Sequence, residues 1–353
     1  MSDQGDSIAA TVAAARERGE PLYLQGGNTK RHLLGREPAG TPLDLSGHRG
    51  IVDYQPAELV MTARAGTPLA EIRDALAVHR QQMSFEPPLF DGRATLGGTL
   101  ACNLSGPARP WCGSIRDMVL GIKLVNGKAE TLSFGGQVMK NVAGYDVSRL
   151  QAGALGTLGI ITEVSFKVLP EPDEQLTLAY EMNAAEAVQT MNLRGGEPRP
   201  LTGALWVDGV LYLRVAGTPG AVGKTASDWG GDTLAQGEQL WEQLREMRLP
   251  FFTGSGELWR LSLGSTARVD TPPERTLIDW GGAQRWLCGD ADQDTLRRTA
   301  LAAGGHACLF RGGDRQGEVR QPLEPADQQL QQRLKQAFDP DRILNPGRLY
   351  DWL

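Results

Sequence analysis

The sequence predicts an α+β chain of two unequal units with a short C-terminal return. Three observations carry that expectation. Strand, turn and helix signals alternate densely over residues 1–170; a proline-flanked stop, Pro170-Glu171-Pro172, coincides with a change in composition; and short apolar runs then alternate with amphipathic stretches to about residue 325. At 353 residues the chain exceeds what one hydrophobic core usually holds, so division at 1–170, 171–325 and 326–353 is expected.

In order, Ile8 to Arg18 reads as an Ala-rich helix stopped by Gly19, and Leu22-Tyr23-Leu24 as a short buried strand. Leu59 to Arg64 alternates like a strand. Thr67-Pro68 then caps a helix whose Leu69, Ile72, Leu76 and Ala77 share one face. Met118 to Val125 runs into Asn126-Gly127, the strongest short hairpin signal, with Ala129 to Phe134 as the returning strand. Gly159 to Leu169 completes the first unit. Beyond it, short strands (Leu205 to Val207, Leu211 to Val215, Trp286 to Cys288) alternate with helices (Ala184 to Leu193, Gln236 to Arg248, Asp292 to Ala303), an α+β cap. The polar helix Asp327 to Ala337 leads to the closing run Phe338 to Arg348, expected to pack back on the first unit.

Composition excludes several function classes. A net charge of -6 and a pI near 5.4 argue against a nucleic-acid surface, which needs basic residues to replace phosphate counterions. Cys102, Cys112, Cys288 and Cys308 show no CxxC spacing and read as reduced thiols. The start, Met1 to Asp6, is acidic where an export signal is basic, so a cytoplasmic location is expected. Even Met118 to Val125 is broken by Lys123, and no run approaches the roughly 20 apolar residues a bilayer span requires. Any membrane association is expected to run through partners.

The chemistry-bearing residues cluster in the first unit. Gln25-Gly26-Gly27-Asn28-Thr29-Lys30 directly follows a strand, and a tight turn there offers consecutive backbone N–H groups to a pyrophosphate. Thr95 to Gly106, with Gly97, Gly98, Thr99, Ser105 and Gly106, is small and glycine-rich, letting backbone approach a flat ligand closely. Gly113-Ser114 and the run Gly153 to Thr162, including Gly159 and Ile160, continue the pattern.

In order and character these segments resemble the FAD-binding domain of the vanillyl-alcohol oxidase and p-cresol methylhydroxylase (PCMH) superfamily. The run Met139 to Asp146, with Arg149-Leu150 and Gly153, is similar to the flavin subunits of glycolate oxidase and D-lactate dehydrogenases. Gly304 to Arg311 and Asn345-Pro346-Gly347-Arg348 are similar to the FAD-binding subunit of glycolate oxidase complexes. The resemblance implies a PCMH-type FAD-binding domain of two subdomains and a smaller cap. It implies non-covalent FAD, with Gln25, Gly26, Gly27, Asn28 and Thr29 at the pyrophosphate. Gly97, Gly98, Thr99, Ser105 and Gly106 would bracket diphosphate and ring, Gly113 and Ser114 would meet the isoalloxazine, and Gly159 and Ile160 the adenine end. It further implies glycolate or a similar 2-hydroxy acid as substrate, and as partners a second flavoprotein subunit and an iron–sulfur subunit. A standalone FAD-dependent 2-hydroxy acid or alcohol oxidoreductase, or a non-catalytic structural subunit, is the alternative.

No catalytic residue and no metal site is assigned. The hydroxy-acid dehydrogenases of the superfamily carry a histidine-rich cluster in the second domain, where this chain has His306 alone; His32, His48 and His79 lie in the first. That scarcity favours electron relay over proton abstraction. Arg311 is a candidate for holding a substrate carboxylate. Gly217 to Thr225 nearly spells a P-loop, but its first glycine is one position out of place.

Overall fold

A computed structural model describes residues 3–136, 145–269 and 275–353; the motif Met139 to Gly144 lies outside the described residues. The helix Gly5–Arg18 ends at Gly19, whose φ of 64° supplies the left-handed cap. Its inner face, Ile8, Val12 and Ala15, packs on Leu22, Val125, Ile160, Ile343 and Leu344. The strand Leu22–Gln25 pairs in parallel with Thr41–Asp44. On its other side lies the C-terminal tail, Leu22 donating to the Ile343 carbonyl at 2.7 Å and Asn345 to the Leu22 carbonyl at 2.9 Å.

Next comes a five-stranded antiparallel sheet in the order Ile51–Gln55, Val60–Arg64, Ile160–Lys167, Val119–Val125, Thr131–Gly135. The helices Leu69–Ala77 and Leu96–Cys102 contribute Leu69, Ile72, Leu76, Leu96 and Leu100 to its core, all fully buried. Two local reasons differ from the expected ones. Thr67 does not cap the helix, because its hydroxyl accepts from the Gly50 N–H at 2.9 Å. The hairpin is real, but it closes through Asn126 to Glu130 rather than a two-residue Asn-Gly turn. Asn126 Oδ1 accepts from Lys128 and Glu130 N–H, and Ala129 carries the positive φ of 63°. Gly127 is there for the tail: a Cβ would meet the Asp339 carboxylate at 2.1 Å.

The second half forms an eight-stranded antiparallel sheet. Its order is Asp232–Thr233, Glu174–Glu181, Val210–Gly217, Leu201–Val207, Thr276–Asp279, Gln284–Cys288, Leu258–Ser262, His306–Arg311. Ala204 and Trp206 point to one face, with Met191 and Val222 of the helices Ala184–Gly195 and Pro219–Trp229; Leu205 and Val207 point to the other, with Trp241 of Gly237–Arg245 and with Leu34 and Leu104 of the first half. Lys224, the lysine of the near P-loop, lies within Pro219–Trp229 and pairs with Asp228 on the surface.

Side chains fasten the halves together. Arg214 pairs with Glu86 at 2.8 Å, and the buried Glu246 carboxylate accepts from the Leu89 and Phe90 N–H groups. Trp280 donates its indole N–H to the Gly106 carbonyl at 3.0 Å.

Candidate functional site: a backbone-lined cleft and a second cavity

The turn leaving Leu22–Gln25 forms one wall of a cleft that is open to solvent and holds about 790 Å3 of atom-free space. Gln25, Gly26, Gly27, Asn28 and Thr29 line it, with Thr95, Gly97 and Gly98; Gly159, Ile160 and Ile161 also line it, with Leu24 and Leu45. Among the described residues nothing accepts from the N–H groups of Gly26, Gly27 or Asn28. Asn28, at φ 53°, is held by Tyr23, whose hydroxyl donates to its side-chain oxygen at 2.7 Å. Successive free amides around a left-handed residue form an anion-binding concavity. Gly27 is also required by its neighbour, since a Cβ would run into the Arg93 carbonyl.

Cations lie behind the turn. Lys30 is buried in the cleft wall over the Phe90 ring, and desolvation pushes its ammonium below the usual lysine range. Arg348 donates to the carbonyls of Lys30, Arg31, Leu33 and Arg36, so the tail fixes the course of the loop. Asn345 lines the cleft and bridges Leu24 to Leu155. A diphosphate between apolar ends fits this donor set, with anion-seeking amides and cations at the turn and Leu45, Ala65, Leu155 and Ile161 beyond them.

The remaining sequence-derived candidates lie elsewhere. Thr99 is fully buried behind the cleft wall, inside the helix Leu96–Cys102, so the Gly97-Gly98 pair belongs to a helical turn rather than an open loop. Gly113 and Ser114 line neither cavity; Ser114 forms a capping box with Asp117 for the helix Ile115–Met118.

Ser105 and Gly106 line a second, smaller cavity between the halves, with Leu104, Phe252, Arg260, Asp279, Gln284, Trp286 and Phe310. Sequence reasoning missed Arg260, Asp279 and Gln284, which are scattered over separate strands. Asp279 is buried at the end of Thr276–Asp279, and desolvation pushes its carboxyl up to about 7 against the opposing Trp280 N–H bond. His306 does not face either cavity. It lies at the exposed start of its strand, and desolvation together with Arg260 and Arg320 lowers its pKa. Arg311 is engaged with the Phe252 and Gly254 carbonyls. Among the described residues no cluster of three or more His, Cys, Asp or Glu could hold a metal, and no helix is long and apolar enough to cross a membrane.

Known proteins share this architecture. Residues 3–135 match the FAD binding domain family and residues 311–349 the C-terminal domain of FAD linked oxidases. The chain is 45% identical to the glycolate oxidase subunit GlcE of Escherichia coli (strain K12) over 348 residues, 99% of this chain and 98% of the other. The chain belongs to the GlcE family. It is an FAD-dependent oxidoreductase chain, and FAD is its cofactor. The glycolate oxidase subunit GlcD of Bacillus subtilis (strain 168) is 39% identical over 53% of this chain and 40% of its own length. Among solved structures, 4-ethylphenol oxidase from Gulosibacter chungangensis superposes with a TM-score of 0.71 at 16% identity, covering 99% of this chain and 88% of that one, a likeness of fold. GlcE-family membership and these neighbours agree with the PCMH-type, mixed α and β architecture expected from the sequence.

Proposed function

We propose that the chain is the FAD-binding subunit of a multi-subunit glycolate oxidase that converts glycolate to glyoxylate, working beside a second flavoprotein subunit and an iron–sulfur subunit. The observation that carries this reading is the near full-length identity to GlcE, coupled with a cleft whose free amides suit a diphosphate. A GlcD relative matching about half of the chain supports a paired flavoprotein.

FAD, held non-covalently, supplies the acceptor for hydride or electrons. The chain's own part is placement. Gln25 to Thr29 receive the pyrophosphate, Gly97 and Gly98 allow close approach beside it, and Gly159 and Ile160 border the adenine end. Thr99 backs that wall, while Ser105 and Gly106 line the neighbouring cavity and Gly113 and Ser114 set the course of the chain that follows. The subunit works in the cytoplasm, reaching the membrane only through its partners.

Co-expression with a GlcD-type flavoprotein and an iron–sulfur subunit tests the proposal. A co-purifying complex whose flavin absorbance bleaches on anaerobic addition of glycolate is expected. A chain that never co-purifies, or a complex that glycolate leaves oxidised, contradicts it.

A further inference from the structure

Among the described residues two lysines are buried, and the fold treats them differently. Lys335 is fully answered, by the Asp339 carboxylate and by the Thr157 and Leu344 carbonyls. Lys30 is 8% exposed and has no ion pair among the described residues; its ammonium donates only to the Thr29 hydroxyl, at 3.3 Å, and lies over the Phe90 ring. A buried cation without a counter-charge is costly. The carboxylate that acts on it, Glu246, is already engaged by Arg245 and by the Leu89 and Phe90 N–H groups. The other cations lining the cleft are spent on the protein, since Arg31 pairs with Glu37 at 3.3 Å and Arg348 holds four backbone carbonyls. The partner Lys30 lacks is therefore an occupant of the cleft it lines.

FAD offers two places for negative charge. Its diphosphate is charged in every state and is met by the free amides of Gly26 to Asn28. Its isoalloxazine ring is charged only when reduced: a hydride brings two electrons and one proton, and so adds one negative charge to a neutral ring. Position decides between them. The adenine end is assigned to Gly159 and Ile160, and Ile160 packs with Ile8 and Val12 of the N-terminal helix. Lys30 instead lies by Phe90 and Cys102, which pack against Leu34, Leu104, Trp286 and Phe310 where the two halves meet. The ring must exchange electrons with a substrate or a partner subunit, and that contact between the halves is the side from which either can reach it.

We infer that Lys30 is the counter-charge of the reduced isoalloxazine ring and so sets how strongly this chain draws electrons. The inference rests on the FAD reading and on its placement of the adenine end. A desolvated ammonium gains little from a neutral ring and much from an anionic one, because water does not screen the pair. Holding reduced FAD more tightly than oxidised FAD raises the midpoint potential by the ratio of the two affinities. The Phe90 ring attracts the ammonium without neutralising it.

The test is equilibrium reduction of the purified, FAD-loaded full chain against a reference dye, with affinity for oxidised FAD measured by fluorescence quenching on the same preparations. Lys30→Met and Lys30→Gln should bind oxidised FAD within about threefold of wild type and reduced FAD about 10- to 100-fold more weakly, as expected for the loss of a charge-assisted contact. That ratio lowers the midpoint potential by about 30–60 mV for a two-electron couple. Lys30→Arg keeps the charge and should recover most of the shift. Equal weakening of oxidised and reduced FAD leaves the potential unchanged, assigns Lys30 to the diphosphate and overturns the inference; wild-type values for both overturn it too. Should neither uncharged variant fold, the wild-type chain decides: its reduced flavin should keep the absorbance of the anion at a pH where free reduced FAD is neutral, and a neutral spectrum there overturns the inference. A wild-type chain that takes up no FAD defeats the cofactor reading itself, whereas an unshifted potential in a yellow variant defeats only the role of Lys30.

Discussion

Asn345 completes the hydrogen bonding of Leu24: its side-chain oxygen accepts from the Leu24 N–H at 2.8 Å, while its amide nitrogen donates to the Leu155 carbonyl at 2.6 Å. The residue just before the Gln25 to Thr29 turn is thereby tied to a tail more than 300 positions away. The end of the chain thus supplies part of the cleft wall, through Asn345 and Arg348.

Replacing Asn345 by Ala removes both bonds from a buried site and should lower folding stability by about 1–3 kcal/mol. Because Asn345 also lines the cleft, FAD affinity should fall with it. Urea unfolding with and without added FAD checks both effects; wild-type flavin affinity in a destabilised variant would show that the tail supports the fold alone.

Gly98 and Gly220 separate cofactor approach from ordinary packing. Gly98 lines the cleft, whereas a Cβ at Gly220 meets nothing within 4 Å. Gly98→Val should purify with little or no flavin and Gly220→Val with the wild-type amount. Equal absorbance at the flavin bands in the two variants would place the cofactor elsewhere.

Lys335 and Asp339 form a fully buried ion pair at 2.8 Å, in which Lys335 also donates to the Thr157 and Leu344 carbonyls and Asp339 accepts from Ile343 and Leu344 N–H. Lys335→Met strands the carboxylate and should cost about 3–5 kcal/mol. Lys335→Met combined with Asp339→Asn should recover part of that loss, since the amide oxygen still accepts one of the two backbone N–H bonds without a buried charge. Chemical denaturation midpoints measure it; additive losses would contradict a coupled pair.

Asp279 gives a pH signature. Its carboxyl is raised to about 7 from 3.8, so the folded chain holds this proton more tightly than the unfolded chain. Its contribution to stability is complete below about pH 4 and is lost as pH rises through about 7. Asp279→Asn does not titrate, so its stability relative to wild type should climb between those values and level off above them. Parallel stability curves across that window would show an ordinary carboxyl.

Much of the first half was legible because local chemistry decides it. Gly19 stops a helix, Leu69, Ile72 and Leu76 mark a buried face, and the Gly-Gly-Asn turn follows its strand immediately. Residues such as Gly127 misled in their reason, since it answers to Asp339 from the distant tail rather than to its own turn. In the second half, Leu258–Ser262 buries Leu258 on one face and Trp259 on the other. A strand packed on both faces loses its alternation, and the sheet's length was hidden with it. The second cavity was illegible for another reason: Ser105, Arg260, Asp279 and Gln284 meet only through sheet order and the contact between the halves. Arg311 drew notice at a strand end, where it donates to the Phe252 and Gly254 carbonyls, while the Nε of Arg260 has no partner among the described residues.

The most direct test of the account is the visible spectrum of the purified full chain, followed by chromatography of whatever acid or heat releases. A yellow protein that yields free FAD, and not FMN, is the expected result, with the diphosphate at Gly26 to Asn28 and the cofactor unattached to Cys102. A colourless chain that takes up no added FAD, or a flavin that stays with the denatured polypeptide, would contradict it.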